Sequence, residues 1–184
     1  MSIFPIPWQE TLEGCRLSVE NAERLADDSR VLRASGRLQS AYSVSLDAWE
    51  ELGKAVLLYR YYKTKEDISC DDWNHFLRNH TIKRVVWAQS QDLLYGIGEV
   101  KSIAQLKEAV KCAVETENSD GFLKLERDVG VHVDWVGGES QWQSPCEIDE
   151  TWFRAIPFDS GYWALATWGQ VQHLRRILGH RTSR

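Results

Sequence analysis

Arg127 and His132 stand five residues apart, with Asp128 directly after the arginine. An arginine stays charged and offers a planar fork of donors to two phosphate oxygens, while a histidine titrates near neutrality and can move a proton. Together such a pair could hold a developing negative charge and move a proton beside it, the parts of general acid–base chemistry. Arg175 and His180 repeat the spacing, but they sit in a basic tail with Arg176, Arg181 and Arg184. That tail reads more simply as a positive helix end, favourable against the macrodipole. Gly130 lies between Arg127 and His132, so the two need not share a helix face. The pair is either catalytic or an anchor for a loop.

A second set of polar residues falls on helical spacing. Asp47, Glu51 and Lys54 lie at i, i+4 and i+7, the pattern of ordinary ion pairing along one helix edge. His80 and Lys83 are one turn apart, and they are expected to neighbour Glu51 and Lys54 across a helical bundle. The resulting polar cluster would be either catalytic or architectural. Cys70, His75 and His80 match no common zinc spacing, and a helix would scatter them. No metal and no cofactor are expected.

Composition narrows the classes. The chain has 184 residues, 27% charged, with nine Trp and a mean hydropathy of -0.42, which describes an ordinary globular surface over an aromatic-rich core. One domain, 1–184, is the expectation at this length. No apolar run approaches the roughly 20 residues that span a bilayer, and Met1 to Trp8 lacks the regions of a signal peptide. Cys15, Cys70, Cys112 and Cys146 are scattered singly, which fits reduced thiols and a cytoplasmic protein better than a disulfide framework. A net charge of -5 argues against a surface that is basic throughout, as bulk nucleic-acid binding would need.

The elements that must position these residues are helices. Leu12, Cys15, Leu17, Val19, Ala22 and Leu25 suggest a first helix between Trp8 and about Leu32. Leu38, Ala41, Tyr42, Ser45, Ala48, Trp49, Leu52, Ala55, Val56, Tyr59 and Tyr62 recur at steps of three and four, an amphipathic helix of about seven turns. Gly53 interrupts this second helix with a residue that costs about 1 kcal/mol relative to alanine, so a close crossing by another helix or a dimer partner is expected there. Ser69-Cys70-Asp71-Asp72 looks like the capped start of a third helix running to Gly96, and Ser102 opens a fourth that reaches about Thr116. A shorter helical piece follows through Leu125. Val131, Val133 and Trp135 before Gly137-Gly138 and Pro145 predict an extended loop or short strand pair, and a last helical region covers about 150–178, interrupted near Pro157 to Gly161. The fold class expected is all-α, an antiparallel bundle with one irregular excursion near 130–147.

Gly36 to Ala41 followed by Ala48-Trp49-Glu50-Glu51-Leu52-Gly53-Lys54-Ala55 resembles the second helix of HEPN-superfamily domains, and more narrowly the AbiV family of abortive-infection proteins. Trp73 to Lys83, Leu125 to Asp134, and Trp142 with Pro145 agree in the same order, so that the resemblance covers roughly 35–146. It implies a phage-defence protein, and many HEPN proteins are metal-independent endoribonucleases with an Arg, four to six residues, and a His. Arg127, Asp128 and His132 have that form, Asp128 being the polar residue that often follows the arginine. With 14 Arg and five His, about one match is expected by chance, and the chain has two. AbiV-like sequences often carry Tyr at the position of His132.

The partners implied are RNA and a second copy of the chain, since HEPN catalytic residues usually face each other across a dimer interface. A toxin held by a separately encoded antitoxin differs from this mainly in regulation. The other reading is a non-catalytic bundle that grips a phage protein or a translation component, which a net acidic, Trp-rich chain suits somewhat better. No membrane partner is expected.

Overall fold

The computed structural model describes residues 5–88, 102–120, 134–136, 141–143, 169, 171–176 and 178–179. A 3-10 turn, Trp8–Glu10, leads into α1, Thr11–Ala34, which packs along α2, Leu38–Thr64. The turn between them is a Schellman motif: Gly36 N–H donates to Arg33 O at 2.9 Å and Arg37 N–H to Leu32 O at 3.0 Å, with Gly36 at φ 76°. That left-handed position suits a residue without a Cβ. Below the turn, Ser29 Oγ donates to Ala41 O at 2.8 Å and lies 2.6 Å from Ser45 Oγ. These bonds satisfy buried hydroxyls that would otherwise cost stability.

α2 is the central helix. Ala48, Leu52, Ala55 and Val56 are buried, and so are Leu46, Gly53, Leu57 and Tyr61. A helix buried on nearly every side is packed by neighbours all round. α1 covers one side and α4, His80–Ala88, another. The core joins Cys15, Val19 and Ala22 of α1 to Leu52, Val56 and Tyr61 of α2, to Ile82 and Val86 of α4, and to Leu106 and Val110 of α5, Ile103–Asp120. Val171 and Leu174, from the helical segment 171–176, complete it.

The third helix differs from the one read in the sequence. It begins as expected, with Ser69 Oγ accepting from Asp72 N–H at 3.1 Å to open α3, Cys70–Asp72. It then widens into a π-turn, Trp73–Leu77, whose wide bond runs from Arg78 N–H to Trp73 O at 3.1 Å. Asn79 ends the run because its Oδ1 accepts from Ile82 N–H at 3.1 Å, giving the backbone a fresh N-cap in place of a continued ladder. α4 starts there. The stretch 89–96, where the third helix was expected to end, lies outside the described residues, as does the helical piece expected through Leu125.

Two other expectations hold, while the break expected near Pro157 to Gly161 in the last helical region lies outside the described residues. Ser102 Oγ accepts from Gln105 N–H at 3.3 Å and opens α5, which extends four residues past Thr116 to Asp120. Two short strands, β1 (Asp134–Val136) and β2 (Gln141–Gln143), pair antiparallel with Trp135 opposite Trp142. The architecture is therefore all-α with one small hairpin as its irregular excursion. No helix among the described residues is long and apolar enough to cross a membrane.

Candidate functional site

The densest polar cluster among the described residues centres on Glu50, which sits on the buried face of α2 between Leu46 and Gly53. Its side chain is only 4% exposed. A carboxylate in such a place needs partners, and α4 supplies three of them. His80 Nδ1 lies 2.5 Å from Glu50 Oε2, Lys83 Nζ lies 3.2 Å from the same oxygen, and Arg84 grips Oε1 through Nη2 at 2.8 Å and Nε at 3.1 Å. Positions 80, 83 and 84 fall on one face of a helix, at i, i+3 and i+4. That spacing is why they converge on one carboxyl group.

Close approach of the two helices makes the cluster possible. A Cβ on Gly53 would stand 1.8 Å from Lys83 O and 2.6 Å from Lys83 C, so only glycine admits the α4 backbone there. The crossing expected at Gly53 is thus an intramolecular one by α4. Lys83 takes part twice, through its carbonyl against Gly53 and its ammonium against Glu50.

The electrostatics derive from this packing. Burial works to raise the Glu50 carboxyl, but the hydrogen bond from His80 and the charges of Lys83, Arg84 and the imidazole outweigh it. The net effect holds the group below its ordinary value. An ionised carboxylate only accepts hydrogen bonds, so Nδ1 of His80 is the donor. Lys83 and Arg84 side chains are 9% and 10% exposed, whereas the His80 side chain is 53% exposed. The imidazole is therefore the cluster's outward member.

Of the polar residues singled out in the sequence, His80 and Lys83 do come together, but on Glu50. Glu51 is paired along its own helix with Lys54, whose Nζ lies 2.6 Å from Glu51 Oε2. His80 and Lys83 thus meet the residue next to Glu51, while Glu51 and Lys54 pair along α2. Arg84 was missed as well. Arg127, Asp128 and His132 lie outside the described residues, and so does His180, while Arg175 is ion-paired with Glu23 of α1. Among the described residues, no group of three or more His, Cys, Asp or Glu side chains is arranged to hold a metal ion.

A cavity of about 930 Å³ opens elsewhere, between the α3–π-turn segment and α5, lined in part by His75, Phe76, Lys107 and Val110. Its floor includes Asp72, which is ion-paired with Lys107 at 2.5 Å.

The family model for AbiV matches residues 10–152, which takes in α1, α2, the Glu50 cluster, the Arg127 to His132 stretch and the hairpin. The chain belongs to the AbiV family of HEPN proteins. AbiV proteins serve abortive infection, a defence against phage, and that is the function the family carries. No curated protein and no solved structure matches the chain.

Proposed function

We propose that this AbiV protein is a phage-defence endoribonuclease that cuts RNA without a metal ion, leaving 2′,3′-cyclic phosphate ends, and that it works as a homodimer. The observation that carries the reading is the family span of 10–152, which includes Arg127, Asp128 and His132 in the Arg-x4-His form. In this chemistry His132 takes the 2′-hydroxyl proton, the 2′-oxygen bonds to phosphorus, and the 5′-oxygen departs. Arg127 holds the phosphate oxygens as their charge grows. Purified protein incubated with structured RNA in EDTA should yield cyclic-phosphate ends, and Arg127→Ala or His132→Ala should lower the rate by about a hundredfold or more. Intact RNA with the folded wild-type protein would refute the reading.

A second reading rests on charge. A chain of net charge -5 with nine Trp suits a protein interface, since phosphate binding needs clustered cations and interface cores favour aromatics. On this reading the bundle grips a phage or translation component and cuts nothing. Full phage protection by Arg127→Ala and His132→Ala, with binding retained, would decide for it.

A further inference from the structure

The cavity of about 930 Å³ beside α5 holds none of the Glu50 cluster. Ala104, Lys107, Glu108, Lys111 and Glu115 line it at i, i+3, i+4, i+7 and i+11, so one face of α5 forms a wall three turns, or about 16 Å, long. The opposite wall is α3, the π-turn and the first residues of α4. A π-turn within a helical run is a frequent feature of functional sites. Apart from Asp72, the floor between the walls is apolar: Phe76, Ile82 and Val110 are buried and Val114 is half-buried. The edges meet solvent, since Asp71, Glu108, Lys111 and Glu115 are all exposed. The space is therefore a groove along α5.

Its charge is lopsided. Asp72 and Lys107 neutralise each other, which leaves the carboxylates of Asp71, Glu108 and Glu115 against the ammonium of Lys111. An anionic ligand such as RNA meets the wrong sign here, whereas a cationic one is drawn in. A long, open groove with an apolar floor suits a helix laid into it, anchored by apolar side chains at i, i+3 or i+4, and i+7. A small molecule is usually enclosed on most of its surface instead. We propose that this groove docks an amphipathic helix of a partner protein, apolar on the face that enters and carrying Lys or Arg along its edges. Val110 and Val114 would receive the anchors, and Asp71, Glu108 and Glu115 would meet the flanking cations. The proposal holds whether or not the protein cuts RNA.

The test titrates the full chain into two fluorescein-labelled peptides of about 14 residues, stapled as helices because a chain so short is only marginally helical alone. Both carry Leu at the anchor positions. One has Lys along its edges and its twin has Glu. The Lys peptide should bind saturably by fluorescence anisotropy, about tenfold or more tighter than the Glu twin, and more weakly as salt rises. The double variant Glu108→Lys with Glu115→Lys, changed only at exposed positions, should lose or reverse that preference. Ala104→Trp, which fills one end of the groove without altering its charge, should weaken the Lys peptide about tenfold at an unchanged melting temperature. Equal affinity for the twins, no saturation by about 0.1 mM, or binding untouched by both variants would overturn the proposal. So would a wild-type dimer that Ala104→Trp turns into a monomer, since a second copy would then be the occupant.

Discussion

Replacing Gly53 by alanine is a sharp test of the α2–α4 contact. The new Cβ would sit 1.8 Å from Lys83 O and 3.0 Å from Lys83 Cα. Real Cβ contacts essentially never fall under 3.0 Å, so α4 would have to retreat by about 1.2 Å in an interior packed as tightly as a crystal. The obstacle is backbone, which cannot rotate aside as a side chain can. Overpacking of this kind costs about 1–3 kcal/mol and sometimes more, and the lost fit of Lys83 and Arg84 to Glu50 adds to it. Alanine returns about 1 kcal/mol of helix propensity. The net expectation is a loss on the order of 2 kcal/mol, or roughly 4–8 °C in melting temperature for a chain of this size.

Gly14→Ala is the matched control. It lies inside α1, and its new Cβ would meet Leu58 Cδ1 at 3.2 Å. A leucine methyl can shift by a few tenths of an ångström, so the same substitution should be neutral or stabilising by up to about 1 kcal/mol. Thermal melts of both variants, followed by circular dichroism, measure the contrast. Gly53→Ala melting at or above the wild type would show that α4 does not cross where the structure has it.

Two further outcomes are expected. Glu50→Gln leaves Lys83 and Arg84 buried without a counter-charge and should cost about 3–5 kcal/mol at neutral pH. Because the folded-state Glu50 carboxyl is held below its ordinary value of 4.5, its contribution is complete above about pH 4.5 and fades as pH falls through the lower folded value. Denaturant melts of wild type and variant should therefore converge in acid, and a gap independent of pH would contradict the assignment. Burial pushes the Cys15 thiol up to about 12, whereas Cys112 is exposed. Iodoacetamide at about pH 8 should therefore label Cys112 in the native protein and reach Cys15 only after denaturation, as read by peptide mass spectrometry. Equal labelling of the two in the native protein would be inconsistent with this packing.

The helices were legible because their apolar residues recur at helical steps, and the caps at Ser69 and Ser102 because a side-chain oxygen just before a helix has one obvious use. Gly53 was legible for a related reason: a costly residue inside a helix needs a cause, and the cause is the α4 backbone. Glu50 was harder to see. The strongest stripe of α2, through Ala48, Leu52, Ala55 and Tyr59, puts Glu50 on what looks like its polar side beside Glu51. But α2 has a second buried stripe, Leu46, Glu50, Gly53 and Leu57, at steps of four, three and four, and a lone carboxylate in such a stripe calls for cations across from it. His80, Lys83 and Arg84 were spaced to answer. Pairing a carboxylate with cations 30 or more residues away depends on which helices cross, which periodicity within one helix does not contain.

The break at Arg78 and Asn79 is what lets one stretch of chain serve two partners. Asp72, on α3, is bound to Lys107 of α5, while Lys83 and Arg84, on α4, are bound to Glu50 of α2. A rigid helix through Cys70 to Ala88 would tie both contacts to one axis and one phase, about 100° per residue. The π-turn changes that phase, and the Asn79 cap lets α4 set out afresh. Asn79 thereby makes His80 the first residue of its helix, where a side chain can remain half exposed while Lys83 and Arg84, one turn further in, are buried. The same local irregularity that a continuous helical reading passes over is therefore what leaves the Glu50 cluster with a half-exposed member, His80.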